Sequence, residues 1–145
     1  MTLMKRNPQY ALRRLLHDTL DGKIVYDSRE VRIFDAVPKG EPFPYIVIGD
    51  ASGDPVEDKT DWEELVRIEL AVLSLYGGTT ENIKILDLAT QVIATAAISY
   101  SLQFMDSEGF CVISFTFGGW STKGVIKEEV EESLQELQFL VQQTI

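Results

Sequence analysis

Two periodicities meet near the middle of this chain, and their adjacency limits what it can fold into. Over residues 62–76 one set of alternate positions reads Val66, Ile68, Leu70 and Val72. The other begins Arg67 and Glu69 and ends Ala71, Leu73 and Leu75. That is a long strand, covered on one side at its start and on both sides later. Gly77-Gly78 ends it, Thr79 or Thr80 can cap a helix, and the spacing predicts that helix over residues 79–98. Its apolar stripe is Ile85, Leu86, Leu88, Ala89, Val92, Ile93, Ala96 and Ala97, and the alanines permit close approach to a sheet.

The rest builds around that pair. Asn7-Pro8 places an N-cap before proline at a first helical position, where its missing N–H removes no intrahelical bond. Leu12, Leu15, Leu16 and Leu20 follow at helical spacing with Arg13, Arg14, His17 and Asp18 off the stripe, and Asp21-Gly22 supplies a left-handed stop. Residues 31–37 and 45–49 read as short strands around a rigid loop containing Pro38, Gly40, Pro42 and Pro44. Residues 50–61 are polar, acidic and aperiodic, and are expected to form an exposed loop. Residues 102–105 and 110–117 read as a hairpin turning at 106–109, and residues 1–7 as a flexible extension. Over residues 130–143 the apolar positions fit helix and strand alike. The expectation is one α+β domain spanning residues 1–145, with a mainly antiparallel sheet packed against two helices.

Composition removes most function classes. A chain of 145 residues can bury a core, and 13 Lys plus Arg against 23 Asp plus Glu leave a net charge of -10, which repels nucleic acid and anionic membrane. Cys111 is the single cysteine and His17 the single histidine, too few for a disulfide framework or a transition-metal cluster. Asp50, Ser52 and Asp54 alternate as in a calcium loop, but Pro55 stands where glycine is required and Asp61 where a bidentate Glu is. A Cys111–His17 dyad is outweighed by a buried core cysteine and a boundary histidine. Gly77-Gly78 and Gly118-Gly119 lack the residues of phosphate-binding loops. The run Glu128, Glu129, Glu131 and Glu132 reads as a solvated face, with a partner-facing patch as the alternative. No signal-peptide run or membrane-length apolar stretch is present, so cytoplasmic synthesis is expected. Neither enzyme activity nor a cofactor is expected.

Ile33-Phe34-Asp35-Ala36-Val37-Pro38, followed by Phe43-Pro44-Tyr45-Ile46-Val47-Ile48-Gly49, resembles the tail-completion, head-to-tail joining (tail-terminator-like) proteins of long-tailed bacteriophages and prophages. The order of elements is similar over nearly the whole chain. The acidic segment 127–132 and residues 1–7 depart from the family pattern. The resemblance implies a ring, commonly a hexamer, at the head-proximal end of the tail tube. It would contact the tube protein and the head connector or stopper protein, with DNA passing through unbound. It implies a virion protein assembled in the host bacterial cytoplasm. A closed ring needs two unlike faces in contact. The expected interface residues are Asp54, Val56, Glu57, Asp58 and Lys59 of the acidic loop, Trp62 at the edge of the long strand, and Trp120 in a loop after Gly118-Gly119. A soluble non-viral adaptor for one protein partner is the alternative use of such a scaffold.

Overall fold

The computed structural model describes residues 5–56, 62–75, 79–98, 109–127 and 130–144. Helix α1 (Gln9–Leu20) is followed by β1 (Val25–Tyr26), β2 (Arg29–Glu30), β3 (Ile33–Phe34), β4 (Tyr45–Pro55), β5 (Glu63–Leu75), α2 (Thr79–Ile98), β6 (Phe110–Lys127) and β7 (Val130–Gln143). β1 and β2 form a small antiparallel hairpin. The other five strands form one sheet in the order β3-β4-β5-β7-β6, antiparallel except for the β3–β4 pair. The α+β class expected from the sequence is the class observed.

The Asn-Pro step opens α1 one residue later than expected: Pro8 takes the cap position, its carbonyl accepting the Leu12 N–H at 3.0 Å, while Asn7 Oδ1 accepts the Gln9 N–H at 2.8 Å. The helix stops where the Asp21 N–H bonds the His17 carbonyl and Gly22 takes a φ of +72°. Leu12, Leu16 and Leu20 are fully enclosed, each worth roughly 1.5–3 kcal/mol of apolar burial. They share a core with Ile85, Ala89 and Ile93 of α2. On the sheet the same core takes Ile46 opposite Val72, Ile48 opposite Leu70, Ile68 opposite Leu137 and Val66 opposite Phe139. Cross-strand partners point to the same side of a sheet, so both helices cover one face.

β6 keeps to that face only by bulging. Val112 lies opposite Val141, yet Phe115 lies opposite Phe139 and Phe117 opposite Leu137, so Ile113 is the extra residue. One inserted residue reverses the parity, bringing Phe110, Val112, Phe115 and Phe117 to the covered face, where simple alternation separates them. Cys111 consequently lies opposite Gln142 on the uncovered face and is half-buried, not the core residue expected.

Other expectations change for physical reasons. Residues 50–55 are strand, not loop: Ala51, Ser52, Gly53, Asp54 and Pro55 pair with Ile68, Arg67, Val66, Leu65 and Glu64, although most remain exposed. Pairing with a fixed neighbour supplied the order that composition did not. Only Ile33 and Phe34 of 31–37 pair. Leu75 is exposed and Leu73 half-buried, because among the described residues no helix covers the second face. The ambiguous segment 130–143 is β7, enclosed between β5 and β6. The acidic run is not uniformly solvated either, since the strand period turns Glu131 inward, where it is buried. Lys5, Arg6 and Asn7 are docked instead of free: the Arg6 N–H donates to Gln143 Oε1 at 2.8 Å, the Arg6 guanidinium lies 4.9 Å from the Phe110 ring centre, and Lys5 pairs with Glu64 at 3.3 Å. Residues 1–4, the expected strand 102–105 and most of the expected turn 106–109 lie outside the described residues.

Two polar side chains fasten the layers. Buried Asn82 of α2 donates through Nδ2 to the Glu131 carbonyl of β7 at 3.1 Å. Arg13 of α1 ion-pairs with Asp35, donates through Nη1 to the Gly49 carbonyl at 2.7 Å, and donates through Nη2 to the Ile48 carbonyl. Those carbonyls sit at the β4 bulge between Ile48 and Ala51, where the ladder to β5 breaks register. Replacing Arg13 with Leu should cost about 2 kcal/mol in urea unfolding, because one guanidinium satisfies both carbonyls. Arg13→Lys should recover only a small part, since a point ammonium cannot fork between them.

Candidate assembly surfaces

The segment from Ile33 to Gly49 performs an uncommon connection. Ile33 and Phe34 run parallel to Ile46 and Val47, although only residues 35–44 join them and no helix crosses over. The link turns back at Gly40, which takes a φ of +80° while the Glu41 N–H donates to the Pro38 carbonyl at 3.3 Å, and aromatic contacts pack its end. Phe43 stacks on Tyr45 at 5.0 Å, and Phe34 meets Tyr45 edge-on at 6.1 Å. Arg32 lies 5.1 Å from the Phe34 ring centre and pairs with Glu41 at 3.2 Å. The recognised residues thus build one corner of the sheet. They bring together no set of groups suited to a reaction.

The expected interface residues separate into two places. Asp54, Val56 and Trp62 lie at the end of the β4–β5 hairpin, where the Val56 N–H donates to the Glu63 carbonyl at 3.0 Å. Asp54 is exposed and accepts from Arg67 Nη1 at 2.6 Å; Glu136 approaches the same guanidinium at 3.8 Å. The Asp54 hydrogen bond raises the Arg67 pKa above its ordinary value, favouring the charged form that arginine already holds at any working pH. Glu57, Asp58 and Lys59 lie outside the described residues. Trp62 is half-buried beside the docked N-terminal segment, and its carbonyl accepts the Gln143 N–H at 2.9 Å. It is not at a sheet edge: β5 is the central strand, paired with β4 on one side and β7 on the other.

Trp120 is in strand β6, not a loop, and lies opposite Gln135, which lies opposite Leu70. Eight residues along β5 from Trp62, this level is roughly 26 Å away along the strands. The structure therefore does not unite the two tryptophans. Gly118-Gly119 form a bulge beside Trp120, and Gln135 Nε2 donates to the Gly118 carbonyl at 3.1 Å. A Cβ on Gly118 would stand 2.8 Å from Glu136 Oε1, so the ends of the Glu136 and Gln138 side chains would have to shift to admit one.

Trp120 is 73% exposed on the helix-bearing side, because α2 stops short of β6. Between them runs a groove of about 290 Å³, bounded by Ile83, Leu86 and Thr90 of α2, Trp120 and Thr122 of β6, and Gln135 of β7. Ile113 and Phe117 add further exposed apolar surface to the same strand. Reasoning from sequence found Trp120 but missed Ile113 and Phe117, since the facing of β6 residues depends on bulges counted against β7. It also missed Arg13, whose importance comes from carbonyls 35 and 36 residues away.

The family model described as Tail completion protein gp17 matches residues 10–116. A chain in a solved structure described as the virion of a native gene transfer agent (GTA) particle has the same fold, with a TM-score of 0.56. It is 19% identical, and the match covers 92% of this chain and 93% of that one. No curated protein sequence matches. Residues 117–145, which include Trp120 and all of β7, fall beyond the family match.

At the recognised corner, burial first and the nearby Glu41 carboxylate second raise the Tyr45 pKa above its ordinary value of 10.0. Native Tyr45 therefore holds its proton to higher pH than the unfolded chain does, and stability should fall as pH rises above about 10. Denaturant unfolding from pH 9 to 11 should show that slope diminished in Tyr45→Phe, and ultraviolet titration of the variant should lack a tyrosine component that the unaltered chain shows above the ordinary tyrosine value.

Proposed function

The chain belongs to the tail completion protein gp17 family, structural proteins of the phage tail, and from that premise we propose that it closes a ring at the head-proximal end of the tail tube and joins it to the head. The family match over residues 10–116 carries this reading. The geometry supports it, because the two ends of the sheet differ. One presents short β3 and the remainder of β4, and the other presents β6. Unlike ends favour a head-to-tail contact, the type that closes into rings.

In this reading the tube protein and the head connector or stopper protein meet the two rims of the ring. Asp54, Val56, Glu57, Asp58, Lys59 and Trp62 serve the rim at the β4–β5 hairpin, and Trp120 serves the contact between copies. A hexamer of chains at -10 each surrounds the channel with negative charge, so that DNA slides through without adhering. The protein resides in the tail neck of the virion and assembles in the bacterial cytoplasm. It makes and breaks no covalent bond, and works by shape.

Electron microscopy of particles from a knockout of this gene tests the reading. Separate full heads and tails of normal length are expected if the protein joins; overlong tails are expected if it also terminates tail growth. Normal virions lacking the polypeptide would overturn both roles.

A further inference from the structure

The two sheet ends also differ in hydrogen bonding and charge. β6 is an edge strand of 18 residues, with no described strand on its outer side. Unpaired edges of that length are templates for another strand. β6 contains no Asp or Glu and carries Lys123 and Lys127. Lys123 is 59% exposed, reaching Glu132 at only 3.9 Å. Its apolar residues Ile113, Phe117 and Trp120 stand open to solvent.

At the other end β3 covers only Ile46 and Val47 of β4. Arg13 occupies the carbonyls of Ile48 and Gly49. Beyond them the outer side of β4 from Asp50 to Pro55 has no described strand partner, and this stretch carries Asp50 and Asp54 and no basic residue. One free edge is basic and apolar, and the other is acidic and small-chained, with Ala51, Ser52 and Gly53 able to admit bulky neighbours.

We infer that the β6 edge, from Ser114 to Lys123, receives the Asp50–Pro55 edge of β4 from a second copy of this chain, extending the sheet from subunit to subunit. The inference rests on the ring reading and names its contact. The directions agree: β4 and β6 run antiparallel within one sheet, since each step β4-β5, β5-β7 and β7-β6 is antiparallel. Copies related by rotation about an axis along the strands therefore meet as an antiparallel pair. The bulges at Ile113 and Gly118-Gly119 limit regular pairing to short runs, which matches the short free stretch of β4 and disfavours pairing of β6 with itself. Trp120 becomes the buried anchor of the contact.

Disulfide trapping tests this. In a Cys111→Ser background, chains carrying Ser52→Cys are mixed with chains carrying Ser114→Cys, Thr116→Cys or Ser121→Cys. They are then assembled on tail tubes isolated from the knockout and oxidised. Within one chain Ser52 and Thr116 stand at one level but three strand spacings apart, roughly 14 Å, too far for a disulfide. A cross-linked dimer from at least one mixture is expected, and at least a tenfold loss of rings in Lys123→Glu, regained in Lys123→Glu with Asp50→Lys. Rings visible by negative stain but without a cross-link in any mixture would overturn the edge contact and leave the ring intact. Tubes that acquire no ring from the unaltered chain would overturn the ring reading itself, and the edge contact with it.

Discussion

The ladder between β5 and β7 is the constraint on which the remaining architecture depends. All thirteen residues of β5 find partners on β7 without a register break, from Glu63 opposite Gln142 to Leu75 opposite Val130. β4 then fills the other side of β5. With both sides of the central strand occupied, the edges left open in this sheet among the described residues are those of short β3, of β4 beyond it, and of β6. The assembly surfaces are thus set by a pairing at the centre of the sheet.

One-sided coverage is the second consequence. Both helices lie on the face carrying Ile68, Leu70, Leu137 and Phe139. The opposite face carries Arg67 between Asp54 and Glu136, an exposed ion-pair group that solvent screens and that adds little to stability. Stability resides in the helix-side core, and the contact proposed between copies uses strand edges outside that core. Asp50, Ser52 and Lys123 are exposed and lie outside that core, whereas Arg13 and Asn82 act on the fold through the carbonyls they satisfy.

Much of this was legible in the residues. The leucine stripe of α1, the period change across Gly77-Gly78 and the alternation of β5 are local patterns, and each produced the predicted element. The segment from Ile33 to Gly49 carried the family. The acidic stretch after Asp50 was not legible, because Gly53 and Pro55 are weak strand formers that owe their order to β5. Cys111 was misplaced for a similar reason: its facing depends on a bulge counted against β7. Trp120 was visible as a candidate, but its strand location depends on pairing with β7 and its open groove on where the flank of α2 lies over the sheet.

The sequence by itself determined the helices, the central strand, the α+β class and the absence of the usual catalytic and metal-binding motifs, because these follow from side-chain period and residue type within a short window. Only the tertiary structure decided that the closing segment is strand, that β5 lies inside the sheet and that β6 lies at its edge. Those outcomes depend on hydrogen bonds between residues tens of positions apart, for which no local pattern encodes the partner.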